Sequence, residues 1–155
     1  MAWVTPTTVT TGDLITAAKW NQDVVANPIA LLPAGTGFLV GGGGAVPSTG
    51  IQPGAIEVPF NCQLTAIRLF ADVVGTIQLD IWNDVYANYP PTVADTIVGI
   101  GTKPALSAAA SYQDSTLTSW NKDLNTGDIL LVNVDATPAP TTLTWVSLSL
   151  RVQRD

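Results

Sequence analysis

The chain has 155 residues, the size of one domain, and roughly 68 to 70% of the unfolded surface of such a chain is buried on folding. Only 12% of its residues are charged, the formal net charge is −6, and there is no histidine. The six cations are scattered singly, so no basic patch is available to neutralise phosphates. The composition argues against nucleic-acid binding and against an enzyme, and we expect no cofactor.

No stretch of the chain approaches 18 consecutive apolar residues, so membrane insertion is not expected. The N-terminus, Met1-Ala2-Trp3-Val4-Thr5-Pro6, lacks the basic and then apolar pattern of a signal peptide. The sequence therefore predicts that the chain is made and assembled in the cytoplasm.

Residues 1–36 are predicted to form an N-terminal arm and a docking helix. The arm, Trp3–Thr11, is rich in threonine and extended. The one predicted helix spans Thr16–Ala26, with Asp13 or Thr16 as its cap and Asn27-Pro28 at its end. A helix this short is marginal in isolation, so it needs a surface to pack against.

Two interpretations of this helix remain open. Trp20 and Val24 either cover one end of the chain's own β domain, or they dock the chain on a neighbouring molecule. An arm that cannot bury itself favours docking. The predicted docking and oligomerisation residues are Trp3, Leu14, Trp20 and Val24.

The glycine run Gly41–Gly44 opens a glycine-rich loop over residues 41–50, which is predicted to be a flexible connection. A phosphate loop is not expected here, because neither a lysine nor a helix start follows the glycines. Residues 37–155 are assigned to a β-sandwich domain.

Hydrophobic residues alternate with polar ones along most of this domain, which is typical of half-buried strands. About eight short strands without intervening helices predict an all-β fold, an antiparallel β-sandwich that is jelly-roll-like, preceded by the arm and the short helix. The predicted strands are Gly37–Gly41, Ile56–Phe60, Leu64–Ala71, Thr76–Trp82, Thr96–Ile100, Ser115–Trp120, Asp128–Val134 and Val146–Val152.

Candidate catalytic groups are few. Cys62 is the only cysteine, and we interpret it as a buried structural thiol, because a reactive one needs a nearby base and the chain has no histidine. The only glutamate, Glu57, is predicted to lie on the solvent side of a strand. Asp80, Asp84 and Asp95 offer oxygen ligands for calcium, but their spacing matches no full calcium loop and also suits strand ends and turns, so no metal site is expected.

Aromatic residues are concentrated after the strand that ends near Trp82, in a segment that must be a long loop. Aromatic rings stack on sugars and also anchor protein interfaces. Three roles stay open: sealing the end of the sandwich, forming an interface, or binding a glycan. The predicted ligand or interface residues are Trp82, Tyr86, Tyr89 and Trp120.

The opening Trp3-x-x-Pro6, followed by Thr11-Gly12-Asp13-Leu14-Ile15-Thr16-Ala17-Ala18-x-Trp20-Asn21, resembles the head segment of tail-associated and fibre-like proteins of tailed bacteriophages. Those proteins often carry a Trp-Thr-x-Gly-x-x-Val-Thr-Ala-x-x-Leu-Asn pattern. Here Trp20 stands where leucine is more common, and Val24–Asn27 replaces a charged Arg-Asp-Asn ending.

A second stretch is similar to the β module at the distal ends of phage fibre-like proteins. It includes Gly75–Asp84, Tyr86–Asp95, Ser115–Trp120 and Gly127–Leu130. The resemblance covers residues 37 to 154. It implies a virion component that is homotrimeric, attached to other capsid or tail proteins through its N-terminal segment, with the β module exposed. Two functions then stay open: a structural appendage, fibre-like on the tail or a decoration of the capsid, or a receptor-binding adhesin whose aromatic loop holds a host surface glycan.

Overall fold

A computed structural model describes residues 16–20, 34–136, 138–140 and 142–154, and the described chain is mostly β. The all-β prediction is confirmed, and the strands form one curled antiparallel sheet. The jelly-roll order of strands stays a prediction. The elements are α1 (Ala17–Trp20), β1 (Ala34–Gly41), β2 (Gly50–Ile51), β3 (Ile56–Glu57), β4 (Cys62–Val85), β5 (Ala105–Asp114), β6 (Asp123–Leu124), β7 (Asp128–Val134) and β8 (Trp145–Arg154).

Strand β4 organises the sheet, because its first half pairs with β8, its second half pairs with β7, and β5 pairs with both halves. Its first half, 62–71, lies between β8 on one side and β5 and β6 on the other, and β1 pairs with the far side of β8. Its second half pairs with β7, which also pairs with β2 and β3. The sequence predicted two separate strands here, but the chain continues without a turn from one half into the other.

The inward faces of both halves share a single hydrophobic core. In β8 the alternate residues Val146, Leu148 and Leu150 are fully buried, as the period of two predicts. In β4 the buried positions change from even to odd between Leu64 and Ile67, because the pairing with β8 shifts by one residue at this point. Such a bulge redirects the side chains of a strand without ending it.

The glycine run lies inside the sheet domain, between two of its strands. Strand β1 precedes the run and pairs along its whole length with β8. Gly41 has a φ of +83°, and a Cβ atom there would lie 2.5 Å from the carbonyl oxygen of Thr144. Only glycine combines this φ with so close an approach. The run is therefore the connection from β1 to β2.

Two predicted strands are wrong. In Thr96–Ile100 only Thr96 makes an isolated bridge, to Trp82, and the chain then turns. Residues 115–120 form turns, with Leu117 and Ser119 in left-handed conformations at φ of +48° and +65°. The strand of this region is β5, which the sequence did not predict because its alanines and serines lack the β-branched signature.

In the N-terminal region the structure describes residues 16–20 only. Thr16 accepts a hydrogen bond from the backbone N–H of Lys19 at 3.3 Å, which confirms it as a cap of the helix start. The arm, the remainder of the predicted helix, and the predicted docking residues Trp3, Leu14 and Val24 lie outside the described residues.

Candidate interaction site

The aromatic loop, residues 85–100, leaves the end of β4 and is built from short ordered turns. A 3-10 helix spans Tyr86–Asn88, the Tyr89–Pro90 peptide is cis, and a second 3-10 helix spans Val93–Asp95. The second helix begins with a capping box, in which the Asp95 carboxylate accepts hydrogen bonds from the backbone N–H and hydroxyl of Thr92 at 2.7 and 2.8 Å. The prediction of a long connection here is confirmed, and the connection has local structure of its own.

This loop exposes large side chains. Tyr86 is 77% exposed and Tyr89 is 54% exposed. Val85, Val93 and Ile100 are exposed as well, so five of the ten large apolar or aromatic residues that are exposed among the described residues belong to this one loop. An accumulation of this kind is typical of a surface that contacts another molecule.

The four predicted aromatic residues divide into two pairs. Trp82 and Trp120 are each only 7% exposed, so neither can present its ring to a ligand or partner. Trp82 stands opposite Leu131 on β7 and bridges to Thr96, and Trp120 lies against Gly101, where a Cβ atom would come within 2.7 Å of the indole ring. The two tryptophans therefore pack inside the domain next to the loop, and the two tyrosines form the exposed surface of the loop.

A buried charge network anchors the chain on both sides of the loop. The Asp80 side chain is fully buried in β4, where its Oδ1 atom accepts hydrogen bonds from the Thr96 hydroxyl at 2.6 Å and from the Ile81 backbone N–H. Its Oδ2 atom lies 2.9 Å from Lys103 Nζ, which also binds Asp135. Asp80 thus links β4 to Thr96 within the loop and to Lys103 in the chain that follows it.

The ammonium group of Lys103 is held in its charged form. Burial alone would lower its pKa, but the hydrogen bonds and negative charges of Asp135 and Asp80 outweigh that effect and raise the pKa above its usual value. A buried carboxylate with a charged partner is a structural ion pair, and this one occupies the group that sequence analysis considered as a calcium ligand. Lys103 and Thr96 were not predicted, although an aspartate between the apolar Leu79 and Ile81 of a strand was a signal that some partner must exist.

The other two carboxylates considered for calcium also have local roles. Asp84 Oδ1 accepts hydrogen bonds from the Val85 backbone N–H at 2.7 Å and from the Asn88 side chain at 3.1 Å. Asp95 is engaged in the capping box. Nowhere in the described ranges do three or more histidine, cysteine, aspartate or glutamate side chains gather in a group that could hold a metal ion.

A separate apolar pocket of about 230 Å³ opens where the start of β1 passes β3 and β8. Its floor is part of the hydrophobic core and includes Cys62, whose side chain is buried as predicted. Glu57 lies at the pocket and is exposed, which confirms its predicted position on the solvent side. Nearly all of its lining is apolar, and Glu57 is the one carboxylate among the residues that line it.

Trp20 is the one predicted docking residue that the structure describes. It ends the single turn of α1, is 52% exposed, and belongs to a helix in which no residue is buried. Trp20 therefore does not cover the described β domain as a buried lid residue would.

Neither protein-family models nor curated proteins match this sequence. Among the described residues, no helix combines the length and apolar character that crossing a lipid bilayer requires.

Proposed function

We propose that the chain is a non-enzymatic structural protein of a tailed-phage virion. In this proposal it is an oligomeric appendage, fibre-like on the tail or a decoration of the capsid, that docks through its N-terminal segment and displays a jelly-roll-like β domain. It is assembled in the host cytoplasm and resides in the virion. The partners are further copies of the chain, as a homotrimer, and other capsid or tail proteins.

The exposure of Trp20 is the observation that carries the proposal. A tryptophan is a large apolar side chain whose burial is strongly favourable, and here half of it is left in water on a helix that buries nothing. Trp20 also stands inside the segment that resembles the attachment region of phage fibre-like proteins. Both facts fit a side chain whose burial is completed by another molecule.

The decisive experiment compares two variants in purified particles. Trp20→Ala should reduce incorporation of the chain by about tenfold or more, as expected for the loss of an aromatic anchor, with the melting temperature of the isolated chain nearly unchanged. The matched variant Ile51→Ala shortens a residue of β2 that is also 52% exposed and lies outside this segment, so it should be incorporated normally. Normal incorporation of Trp20→Ala, or a large loss of melting temperature, would refute the docking role.

An alternative function is a receptor-binding adhesin for a host surface glycan. The exposed rings of Tyr86 and Tyr89 favour it, because aromatic faces stack on sugars. The double variant Tyr86→Ala/Tyr89→Ala should then lower adsorption of the particle to cells and leave incorporation intact. Unchanged adsorption would remove this alternative.

A further inference from the structure

The outer face of the sheet formed by β1, β8 and the first half of β4 is unusual for an acidic protein. These strands contain no aspartate or glutamate, although the whole chain has twelve. Two of the six cations, Arg68 and Arg151, lie on this face, whereas Arg154 has the register of the core residues of β8 and lies over the Phe60 ring. We call this surface the arginine face.

The strand register fixes which side chains share the face. Residues directly opposite in neighbouring strands point to the same side of a sheet. One row joins Leu39, Ser147 and Phe70, and the next joins Gly37, Ser149 and Arg68. Leu39 is 59% exposed and Phe70 is 45% exposed, and the glycines and serines between them leave the surrounding surface low.

Among the described residues, no carboxylate neutralises the charges of this face. Arg68 Nε donates a hydrogen bond to the neutral Gln113 side chain at 2.9 Å, and no ion pair of Arg68 or Arg151 occurs among the described residues. The carboxylates at the two ends of the face have other partners, since Asp72 accepts hydrogen bonds from Thr144 and Asp123 accepts one from Gln63. The face thus presents exposed apolar side chains beside positive charge.

The aromatic loop has the complementary character. Its exposed apolar side chains are flanked by Asp84 and Asp95, and the sequence contains no lysine or arginine between Arg68 and Lys103. Lys103 itself is engaged by Asp80 and Asp135. The loop is therefore an apolar surface with negative charge.

We infer that the arginine face of one copy of this chain binds the aromatic loop of a second copy. Two complementary surfaces on one chain favour a head-to-tail contact, which closes into a ring when the rotation allows it. A symmetric pairing of two arginine faces would instead place like charges together, which is unfavourable. The inference rests on the proposed homotrimer and names the two surfaces that form it.

The test is the dissociation constant of the full-length chain with itself, measured by sedimentation velocity over a concentration series. Arg68→Glu should weaken self-association about tenfold, because it places a carboxylate opposite the acidic loop. Adding Asp84→Lys to Arg68→Glu should restore much of the affinity. Lys122→Glu is the matched control: it makes the same charge change at a lysine whose ammonium group binds the Thr116 carbonyl, outside the three strands of the face, and should leave the affinity unchanged.

Each outcome supports or contradicts a specific part of the inference. Restoration by the second substitution supports the head-to-tail contact. Loss without restoration removes the loop as the occupant, and unchanged affinity removes the arginine face, whereas the attachment role of Trp20 is tested separately by particle incorporation. A wild-type chain that stays monomeric at micromolar concentration overturns the inference together with the homotrimer. If Arg68→Glu does not fold, Arg151→Glu tests the same face.

Discussion

The two halves of β4 show how one strand can serve two different surfaces. The first half lies in the arginine face, where its outward side chains, among them Arg68 and Phe70, are partly or largely exposed. Residues 79–82 of the second half are buried on both sides, since Asp80 and Trp82 on the outer side are nearly as inaccessible as Ile81 on the inner side. The first half offers a surface for contact, and the second half is a support for the loop that follows it. The difference predicts which substitutions will affect folding and which will affect association.

The largest effect is expected for Trp82→Ala in the supporting half. Trp82 is 7% exposed, and truncation of a buried tryptophan costs about 3 to 5 kcal/mol of unfolding free energy. Tyr86→Ala, in the exposed part of the same region, should stay within about 0.5 kcal/mol of wild type. Urea unfolding of both variants measures the contrast, and similar losses for the two would contradict the division into support and surface.

The next effect is expected from the ion-pair network. Lys103→Met removes the charged partner of the fully buried Asp80, and breaking such a pair costs up to about 3 to 5 kcal/mol. The Lys103 side chain is 30% exposed, so water can compensate in part and a loss of about 2 kcal/mol is expected. The double variant Asp80→Asn/Lys103→Met should recover part of this loss, which thermal unfolding at neutral pH can measure. No recovery would mean that the lost interaction is packing rather than charge.

Alternation predicted the core residues of β8 correctly, because one face of that strand is buried and the other is accessible to water. The sequence also predicted β7, which is buried at nearly every position, with its observed bounds. It did not predict β5, because Ala105–Asp114 becomes a strand through pairing with β4 rather than through its own residue preferences. Periodicity also could not show that two predicted strands are one, since nothing local marks their continuity.

The sequence predicted where the candidate site lies, but not which of its aromatic residues are buried and which are exposed. The clustering of aromatic residues identified the loop, yet Trp82 and Trp120, which were predicted as ligand or interface residues, are buried. Their burial is a tertiary effect that no local pattern reports. The Asp80–Lys103 contact joins residues that are distant along the chain, and its only local signal was an aspartate within an apolar strand.

A smaller loss of stability is expected for a substitution at Gly101, where the chain just after the aromatic loop contacts Trp120. A Cβ atom on Gly101 would lie 2.5 Å from the Thr118 carbonyl oxygen and 2.7 Å from the Trp120 ring, so Gly101→Ala forces a shift and should cost about 1 to 3 kcal/mol. Gly43→Ala is the matched control, because a Cβ atom there meets nothing within 4 Å. It should be neutral or stabilise the fold by about 0.4 to 1 kcal/mol through the unfolded state. Chemical denaturation of the two variants measures the sign and the size of each change in unfolding free energy.

The smallest effects concern two surface carboxylates, Asp72 beside the arginine face and Asp95 in the aromatic loop. Hydrogen bonds from Thr144 lower the pKa of Asp72, although partial desolvation opposes them, and hydrogen bonds from Thr92 lower the pKa of Asp95. A carboxylate with a lowered folded-state pKa stabilises the fold above its unfolded value of 3.8, and the contribution is lost as the pH falls through the folded value. Asp72→Asn and Asp95→Asn should therefore be less stable than wild type at neutral pH, with deficits that shrink toward about pH 2. An equal loss of stability at neutral pH and at about pH 2 would show that the substitution disturbs the hydrogen-bond geometry. It would also show that the carboxylate charge does not stabilise the fold at either position.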